Sequence, residues 1–296
     1  ISGGASSLVE VLPAGVSLEL LQRANRWLLG SGLDITRMNY VRQSLSGIKG
    51  GRLLARIGER PARVLLISDV PGDDPAVIGS GPLYPPTALS DPDLQLPDWL
   101  APLMATPRPR QQTATPVPHR VIASIDRALM AAAAHATTLG YRATLMDTRL
   151  AGDARVAGEE IARHLQQQPP GIYLWGGETT VTLPRQPGKG GRNQQLALAA
   201  ANALSGGCDC SLLAAGTDGT DGPTAAAGAI VDNTSSARIR AAGFDPVACL
   251  QRADAGSCLA ASGELLHTGP TGTNVMDLVI GLRPAAATGT TDAEPV

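Results

Sequence analysis

Short β-branched apolar runs alternate with Ala- and Leu-rich stretches along most of the sequence, and this alternation most restricts the fold. Arg63–Ser68 (RVLLIS) is a continuous apolar run, which is typical of a parallel strand buried on both faces. Residues 126–139 and 192–204 have the length and composition of helices. Strands that alternate with helices predict an α/β fold.

Polar residues in front of apolar stretches predict where several helices begin. Ser17 is expected to cap a helix that ends at Leu29, before Gly30, and Asp34 a second helix that extends to Leu45. We expect further helices at 52–57, 126–139, 153–168, 192–204 and within 235–252, and further strands at 120–123, 142–146, 171–175, 211–215, 229–231, 264–267 and 275–282.

The length of 296 residues favours two domains. Glycine loops and short strands become frequent near residue 170, so we predict domains at 1–170 and 171–283, with a disordered tail at 284–296. Pro107–Pro118 has no hydrophobic period and is expected to be an exposed loop. Because Ile1 runs directly into Ser2-Gly3-Gly4 without a Met, we expect a fragment that lacks an earlier part of its first sheet.

Composition argues against nucleic-acid and membrane partners. The net charge is −2 and aromatic residues make up 3%, so there is neither a basic footprint nor a base-stacking surface. No apolar run reaches the roughly eighteen residues of a membrane span. The four cysteines, Cys208, Cys210, Cys249 and Cys258, lack the paired spacing of a zinc site. We interpret them as reduced thiols of a cytoplasmic protein.

Glycine-rich polar loops follow several of the predicted strands, which is where open α/β sheets bind ligands. They are Ser68–Asp74, Gly176–Thr180, Gly216–Thr224 and Thr268–Asn274. A further loop, Gly188–Asn193, directly precedes a helix, so its N–H groups and Arg192 could bind a phosphate or carboxylate. Each loop alone could be an ordinary turn. Together they provide the cations, N–H donors and carboxylates that phosphoryl transfer requires.

The sequence leaves two alternatives open for the role of each of three acidic residues. Asp218 and Asp221 could hold Mg²⁺, or each could bond the backbone of its own loop. Glu178 could serve the site or cap a neighbouring N–H. The only two lysines, Lys49 and Lys189, both adjoin glycine pairs, where an ammonium group could assist anion binding.

Several well-known motifs are missing. The sequence contains no G-x-x-x-x-G-K-[ST], no G-x-G-x-x-G and no G-x-S-x-G. A nicotinamide dehydrogenase and an α/β-hydrolase therefore have no motif support. The four histidines are scattered without metal-binding spacing.

Seven segments, in order over residues 1–282, resemble the bacterial class II glycerate kinases with a C-terminal MOFRL domain, a family long labelled hydroxypyruvate reductase. The combination of GGRNQ, GTDGTDGPT and TGPTGTN is the most specific part of this resemblance. The segments are ISGGASSL (1–8), RQSLSGIKGGRLL (42–54), ISDVPGDDPAVIGSGP (67–82), GGETTVTL (176–183), GGRNQQLALAAA (190–201), AAGTDGTDGPT (214–224) and TGPTGTNVMDLVI (268–280).

The resemblance implies a Rossmann-like three-layer domain with a largely parallel sheet, incomplete at its N-terminus, and a smaller α/β MOFRL domain with a mixed sheet. It implies ATP- and Mg²⁺-dependent phosphorylation of D-glycerate, usually to 2-phosphoglycerate, in a cleft between the two domains. A homodimer is possible. The alternatives are an NAD(P)H-dependent hydroxypyruvate reductase and a truncated fragment that binds ligand without turnover.

Residue roles follow from the matching motifs. The resemblance implies catalytic roles for Arg192, Asp218 and Lys49, with Arg192 on an anionic group, and Asp218 with Asp221 on the metal or the acceptor hydroxyl. The residues expected to bind substrate or nucleotide are Ser2, Gly3, Gly4, Gly176, Gly177, Glu178, Thr179, Gly191, Asn193, Thr217, Thr271, Gly272 and Asn274.

Overall fold

The computed structural model describes residues 1–58, 60–85, 94–105 and 117–285. Contacts between residues divide the chain into two compact units, Ile1–Ser124 and Ile125–Val296. Residues 107–116 of the predicted loop and 286–296 of the predicted tail lie outside the described residues. No described helix has the length and apolar character that crossing a membrane requires.

The first unit combines short helices with a parallel pair of strands. Its elements are α1 (Ala5–Leu8), α2 (Leu18–Gly30), α3 (Ile35–Ser44), α4 (Arg52–Ile57), β1 (Val64–Ile67), α5 (Ala101–Ala105) and β2 (His119–Ala123). Both predicted caps are confirmed, because the Ser17 hydroxyl accepts from the Leu20 N–H and the Asp34 carboxylate from the Arg37 N–H. Small cores form around Leu28 and around Leu66.

Strands β1 and β2 pair in parallel, as an α/β fold requires, with Val64 opposite His119. The prediction that β1 is buried on both faces is wrong. Val64 and Leu66 are buried, whereas 54% of Leu65 is exposed. Side chains alternate across a strand, and within the described residues the core packs on only one face of β1.

The second unit is a larger α/β unit built on a mixed sheet. The sheet order is β3-β4-β8-β5-β6-β7, with β3 and β4 parallel and the other pairs antiparallel. The predicted mixed sheet is confirmed. The elements are α6 (Ile125–Thr138), β3 (Ala143–Leu145), α7 (Ala154–Gln167), β4 (Gly171–Gly177), α8 (Arg192–Leu204), β5 (Ser211–Gly216), β6 (Gly228–Asp232), α9 (Ser235–Ala241), α10 (Pro246–Gln251), α11 (Ala255–Ala261), β7 (Leu265–Leu266) and β8 (Asp277–Arg283).

Helix α8 is the centre of this unit. Residues 193–201 are buried, and the helix packs against α7 and the sheet. Asp153 caps α7 by accepting from the Arg155 and Val156 N–H groups. The unit includes residues 125–170, which the sequence places before the domain boundary. The assignment of domains stays a prediction.

The prediction of four reduced cysteines is wrong for one pair. Cys249 and Cys258 form a disulfide that joins α10 to α11. The two Cα atoms lie 6.7 Å apart because the short helices pack against each other, which the spacing of the cysteines along the chain did not indicate. Cys208 and Cys210 are free thiols. Helix α11 was not predicted.

Candidate functional site

Three of the predicted loops meet because of the register of the second unit's sheet. Strand β8 runs antiparallel between β4 and β5, so its first residue, Asp277, lies opposite Gly177 of β4 and Gly216 of β5. The loops that leave β4 and β5 and the loop that enters β8 therefore share one edge of the sheet. The start of α8 reaches the same place, since Arg192 contacts Asp277.

Helix α8 begins at Arg192 with a cap supplied from a distant loop. Its N-cap residue, Gly191, has no side chain, and the Asp221 carboxylate accepts from the Asn193 N–H at 3.1 Å and the Gln194 N–H at 2.8 Å. A Cβ atom on Gly191 would overlap the Asp221 carboxyl group. The glycine thus permits a carboxylate at the positive end of the helix, where its charge is favourable.

Two carboxylates hold the Arg192 guanidinium. Asp277 accepts from Nε at 2.6 Å and from Nη2 at 3.0 Å, while Glu178 Oε1 lies 2.7 Å from Nη1. Burial alone would lower the pKa of Arg192, but the hydrogen bonds and charge of Asp277, with the charges of Glu178 and Asp221, outweigh it and raise the pKa. Arg192 therefore stays charged at any pH at which the protein is folded.

Burial raises the pKa of Asp221 to about 6, and its N–H donors only partly offset this effect. Oδ1 accepts from the Asn193 N–H and side-chain amide, and Oδ2 from the Gln194 N–H. Both oxygens of Asp221 accept from donors of α8, so this carboxylate acts as a helix cap, and its role as a Mg²⁺ ligand stays a prediction. Within the described ranges, no three His, Cys, Asp or Glu side chains are grouped to hold a metal.

Asp218 and Asp277 both approach Gly216 from the side on which a side chain would stand. A Cβ placed on Gly216 would be 3.1 Å from Asp218 Oδ1 and 3.6 Å from Asp277 Oδ1. Asp218 Oδ1 also accepts from the Thr220 N–H at 2.9 Å, which is the loop-bonding role left open from the sequence. Asp218 thus belongs to the same cluster as Arg192, through Asp277.

The threonines of the two glycine loops tie these loops together. Thr271 donates its N–H to the Asp218 carbonyl at 3.1 Å and its hydroxyl to the Thr217 carbonyl at 2.6 Å. The Thr217 hydroxyl donates to the Met276 carbonyl at 2.6 Å. Thr217 and Thr271 therefore hold backbone in place, and Gly272 lies in the turn between Thr271 and Asn274 with a φ of +73°.

Met276, next to Asp277, has a φ of +74°, which is strained for a residue with a side chain. Its N–H donates to Asn274 Oδ1 at 2.9 Å, and its carbonyl accepts from Thr217. Asn274 was predicted to bind ligand. In the structure its carboxamide supports the strained residue that precedes Asp277.

A cavity of about 440 Å³ lies beside Arg192, within the size range of small-molecule pockets. Of the predicted residues, Glu178, Thr179, Gly191 and Arg192 line it. Val181 and Leu183 contribute an apolar wall. Asn193, Gly176 and Gly177 are buried and help to form the site without being part of this lining.

Within the first unit, the predicted residues lie near one another. Lys49 is 5% exposed, and its Nζ lies 2.7 Å from Glu10 Oε2, while the Ser46 hydroxyl donates to Glu10 Oε1 at 2.6 Å. The Gly50 N–H donates to the Ser80 carbonyl at 3.0 Å. The Ser80 hydroxyl in turn bonds that of Ser6, at 2.7 Å.

The segment Ser2-Gly3-Gly4 begins α1 next to the same turn. The Ser2 carbonyl accepts from the Ala5 N–H at 3.0 Å, and Gly4 is the N-cap. A Cβ on Gly3 would overlap the Asp69 carboxylate, so Gly3 allows this carboxylate to approach the backbone. Burial raises the pKa of Asp69. The roles assigned to these residues and to Lys49 stay predictions.

Sequence reasoning missed Asp277 and the apolar wall of the cavity. Asp277 lies in the quoted TGPTGTNVMDLVI segment, and an acid at the start of a strand beside a glycine loop is a signal that could have been followed. Its importance depends on the register of β8 between β4 and β5, which no local pattern reveals.

The second unit has the features of an α/β enzyme domain that takes an anionic ligand beyond its strand ends. Two family models match the chain: the MOFRL family over residues 171–277, and a domain of unknown function (DUF4147) over residues 1–96. The MOFRL match includes Glu178, Arg192 and Asp277, the three residues of the ion-pair cluster.

Several similar proteins carry the name of a glycerate kinase. A Thermotoga maritima protein named D-glycerate 2-kinase is 40% identical over 95% of this chain and 71% of its own length. The crystal structure of glycerate kinase from that organism has a TM-score of 0.84 at 39% identity, over 95% of this chain and 71% of that one. An Agrobacterium vitis protein named "Putative hydroxypyruvate reductase" is 41% identical over 94% of this chain and 77% of its own length. The chain belongs to the glycerate kinase family with a MOFRL domain.

Proposed function

We propose that the protein transfers the terminal phosphoryl group of ATP to a hydroxyl group of D-glycerate and forms 2-phosphoglycerate and ADP. The names of the Thermotoga maritima relative and its crystal structure support a glycerate kinase. The 2-hydroxyl as acceptor is supported by the names of two relatives, the D-glycerate 2-kinase of Thermotoga maritima and a glycerate 2-kinase of Pyrococcus horikoshii. A cleft between two domains as the place of reaction stays a prediction from the resemblance.

The observation that carries the proposal is the arginine held at the edge of the cavity. Phosphoryl transfer spreads negative charge over the transferred group, and a pre-positioned guanidinium stabilises that charge at no cost of reorganisation. Arg192 lines the cavity, and Asp277 fixes one edge of its guanidinium. Arg192 is therefore suited to bind the transferring phosphoryl group or the glycerate carboxylate.

ATP and Mg²⁺ stay part of the proposal. In kinases Mg²⁺ is bound mainly by the nucleotide's phosphates together with one or two carboxylates. Asp221 accepts three bonds as a helix cap, and a carboxylate has about four acceptor sites, so Asp221 stays a proposed ligand of Mg²⁺. Asp218, which lies beside Gly216, stays the proposed acceptor of the hydroxyl proton.

Two assays on the same preparation test the reaction. The first supplies D-glycerate with ATP and Mg²⁺ and measures ADP, with phosphorus NMR to identify the phosphorylated position. The second supplies hydroxypyruvate with NADH or NADPH, because the name of the Agrobacterium vitis relative favours a reductase as the second candidate. NADH consumption without ADP formation would reverse the assignment. Thermal stabilisation by glycerate or ATP without any product would favour the non-catalytic alternative.

Arg192→Ala tests the residue that carries the proposal. We expect a loss of at least about a hundredfold in turnover, or about 2.7 kcal/mol. Arg238 is a matched control, because it also binds two carboxylates in this unit, those of Asp232 and Glu264. Arg238→Ala should change stability but not turnover of the folded protein. Near-normal turnover of Arg192→Ala would refute its role.

A further inference from the structure

The two carboxylates on Arg192 differ sharply in exposure. The Asp277 side chain is 2% exposed and bonds Nε and Nη2, whereas the Glu178 side chain is 45% exposed and contacts Nη1. Glu178 also lines the cavity, and Asp277 does not belong to its lining. The guanidinium therefore has one edge bound to a buried carboxylate and one edge, beside the cavity, bound to an exposed carboxylate.

This difference determines which partner an incoming anion can replace. The two-bond pair with Asp277 is costly to break, because the buried carboxylate would be left without water or a partner. An exposed ion pair contributes little, since water solvates both partners after separation. A phosphoryl or carboxylate group that enters the cavity can thus displace Glu178 from Nη1, while Asp277 keeps the arginine in place.

The backbone before Asp277 is organised to fix its position. Asp277 lies between Gly177 and Gly216 in the sheet register, and strained Met276 precedes it. Asn274 and Thr217 hold the two backbone polar groups of Met276. Asn274 and Thr217 were both predicted to bind ligand. In the structure they act on Arg192 through Met276 and Asp277.

We propose that Asp277 is a positioning residue for Arg192 and that an oxyanion of the substrate replaces Glu178 at Nη1 of Arg192. This inference rests on the proposed kinase function for the identity of the substrates. The oxyanion belongs either to the carboxylate of D-glycerate or to the terminal phosphate of ATP. Glu178 exchanges with it, and Asp277 does not.

Glu178→Gln tests the exchange. Removal of the competing charge should lower the KM, and the Kd by calorimetry, about two- to fivefold for one substrate, either D-glycerate or ATP. The other substrate should be unaffected, and this selectivity identifies the oxyanion. Weaker or unchanged binding of both substrates would overturn the exchange. Calorimetry measures binding without turnover. A wild type that forms no product would therefore refute the proposed function, while the Kd values would still test the exchange at Nη1.

Asp277→Asn tests the positioning. We expect kcat to fall at least tenfold with much less change in KM, and Asp277→Glu, which keeps the charge but displaces it, should not restore kcat. Glu264→Gln is the matched control, because Glu264 is a buried carboxylate on Arg238 with a side chain 4% exposed. It should lower the melting temperature without changing kcat. Equal kcat values for folded Asp277→Asn and the wild type would overturn the role of Asp277.

Discussion

Asp221 makes the stability of the second unit depend on pH in a direction that can be calculated. Its pKa is about 6 in the folded protein against an ordinary value of 3.8, because its carboxyl group is buried. A shift of about two units corresponds to about 3 kcal/mol. An acid with a raised pKa binds its proton more tightly when folded, so its favourable contribution is complete below pH 3.8 and is lost as the pH rises through 6.

Asp221→Asn isolates this contribution, because the amide has the same shape and does not titrate. Asn cannot accept both helix N–H bonds, which should cost about 1 kcal/mol at every pH. On top of this constant, the wild type should lose about 3 kcal/mol relative to Asp221→Asn between pH 4 and pH 7. With these magnitudes the two unfolding free energies cross as the pH rises, and at pH 7 Asp221→Asn is the more stable protein by about 2 kcal/mol.

Urea unfolding at several pH values measures the difference. Trp175 reports on the second unit, so Trp27 and Trp99, the other two tryptophans, are replaced by Phe in both proteins. Asp153→Asn is the control, because Asp153 caps α7 with an exposed carboxylate and lacks the burial that causes the effect. A wild type that gains stability over Asp221→Asn with rising pH would refute the reasoning, since the N–H donors and Arg192 would then outweigh burial.

Two further predictions concern the frame around the site. Met276 has a φ of +74°, so Met276→Gly should be about 1 kcal/mol more stable than Met276→Ala in urea unfolding, and the opposite order would exclude strain there. Cys249→Ser should lower the unfolding free energy of the oxidised protein by about 2–3 kcal/mol, because the disulfide closes a short loop of sequence separation 9. Cys208→Ser is its control, and equal losses in both variants would contradict a disulfide at Cys249.

The sequence predicts those elements whose signals are local. The caps at Ser17 and Asp34 and the bounds of α8 are confirmed, because a capping side chain or an uninterrupted apolar period marks each of them. Helix α11 was missed because its sequence, AGSCLAA, is short, contains a glycine and has no side-chain cap. The exposure of Leu65 was missed because an apolar run does not say how many faces are covered.

The site was predicted less completely, for a physical reason. The sequence indicates three of the site residues, because the segments that contain them resemble a known family. These residues are Arg192, Glu178 and Asp218. Asp277 becomes important only because β8 lies between β4 and β5. Asp221 caps α8 through a contact with Gln194, which lies 27 residues away along the chain. Pairings of this kind arise from tertiary structure, and patterns of neighbouring residues do not encode them.

The position of β8 also bears on how the molecule forms during synthesis. It is the last strand of the described chain, yet it lies in the interior of the sheet. Residues 277–283 must therefore leave the ribosome before β8 can pair with β4 and β5. Until then β4 and β5 each carry an unpaired edge. Acquisition of the native sheet is expected to be late and slow, and the growing polypeptide is most prone to aggregate in that interval.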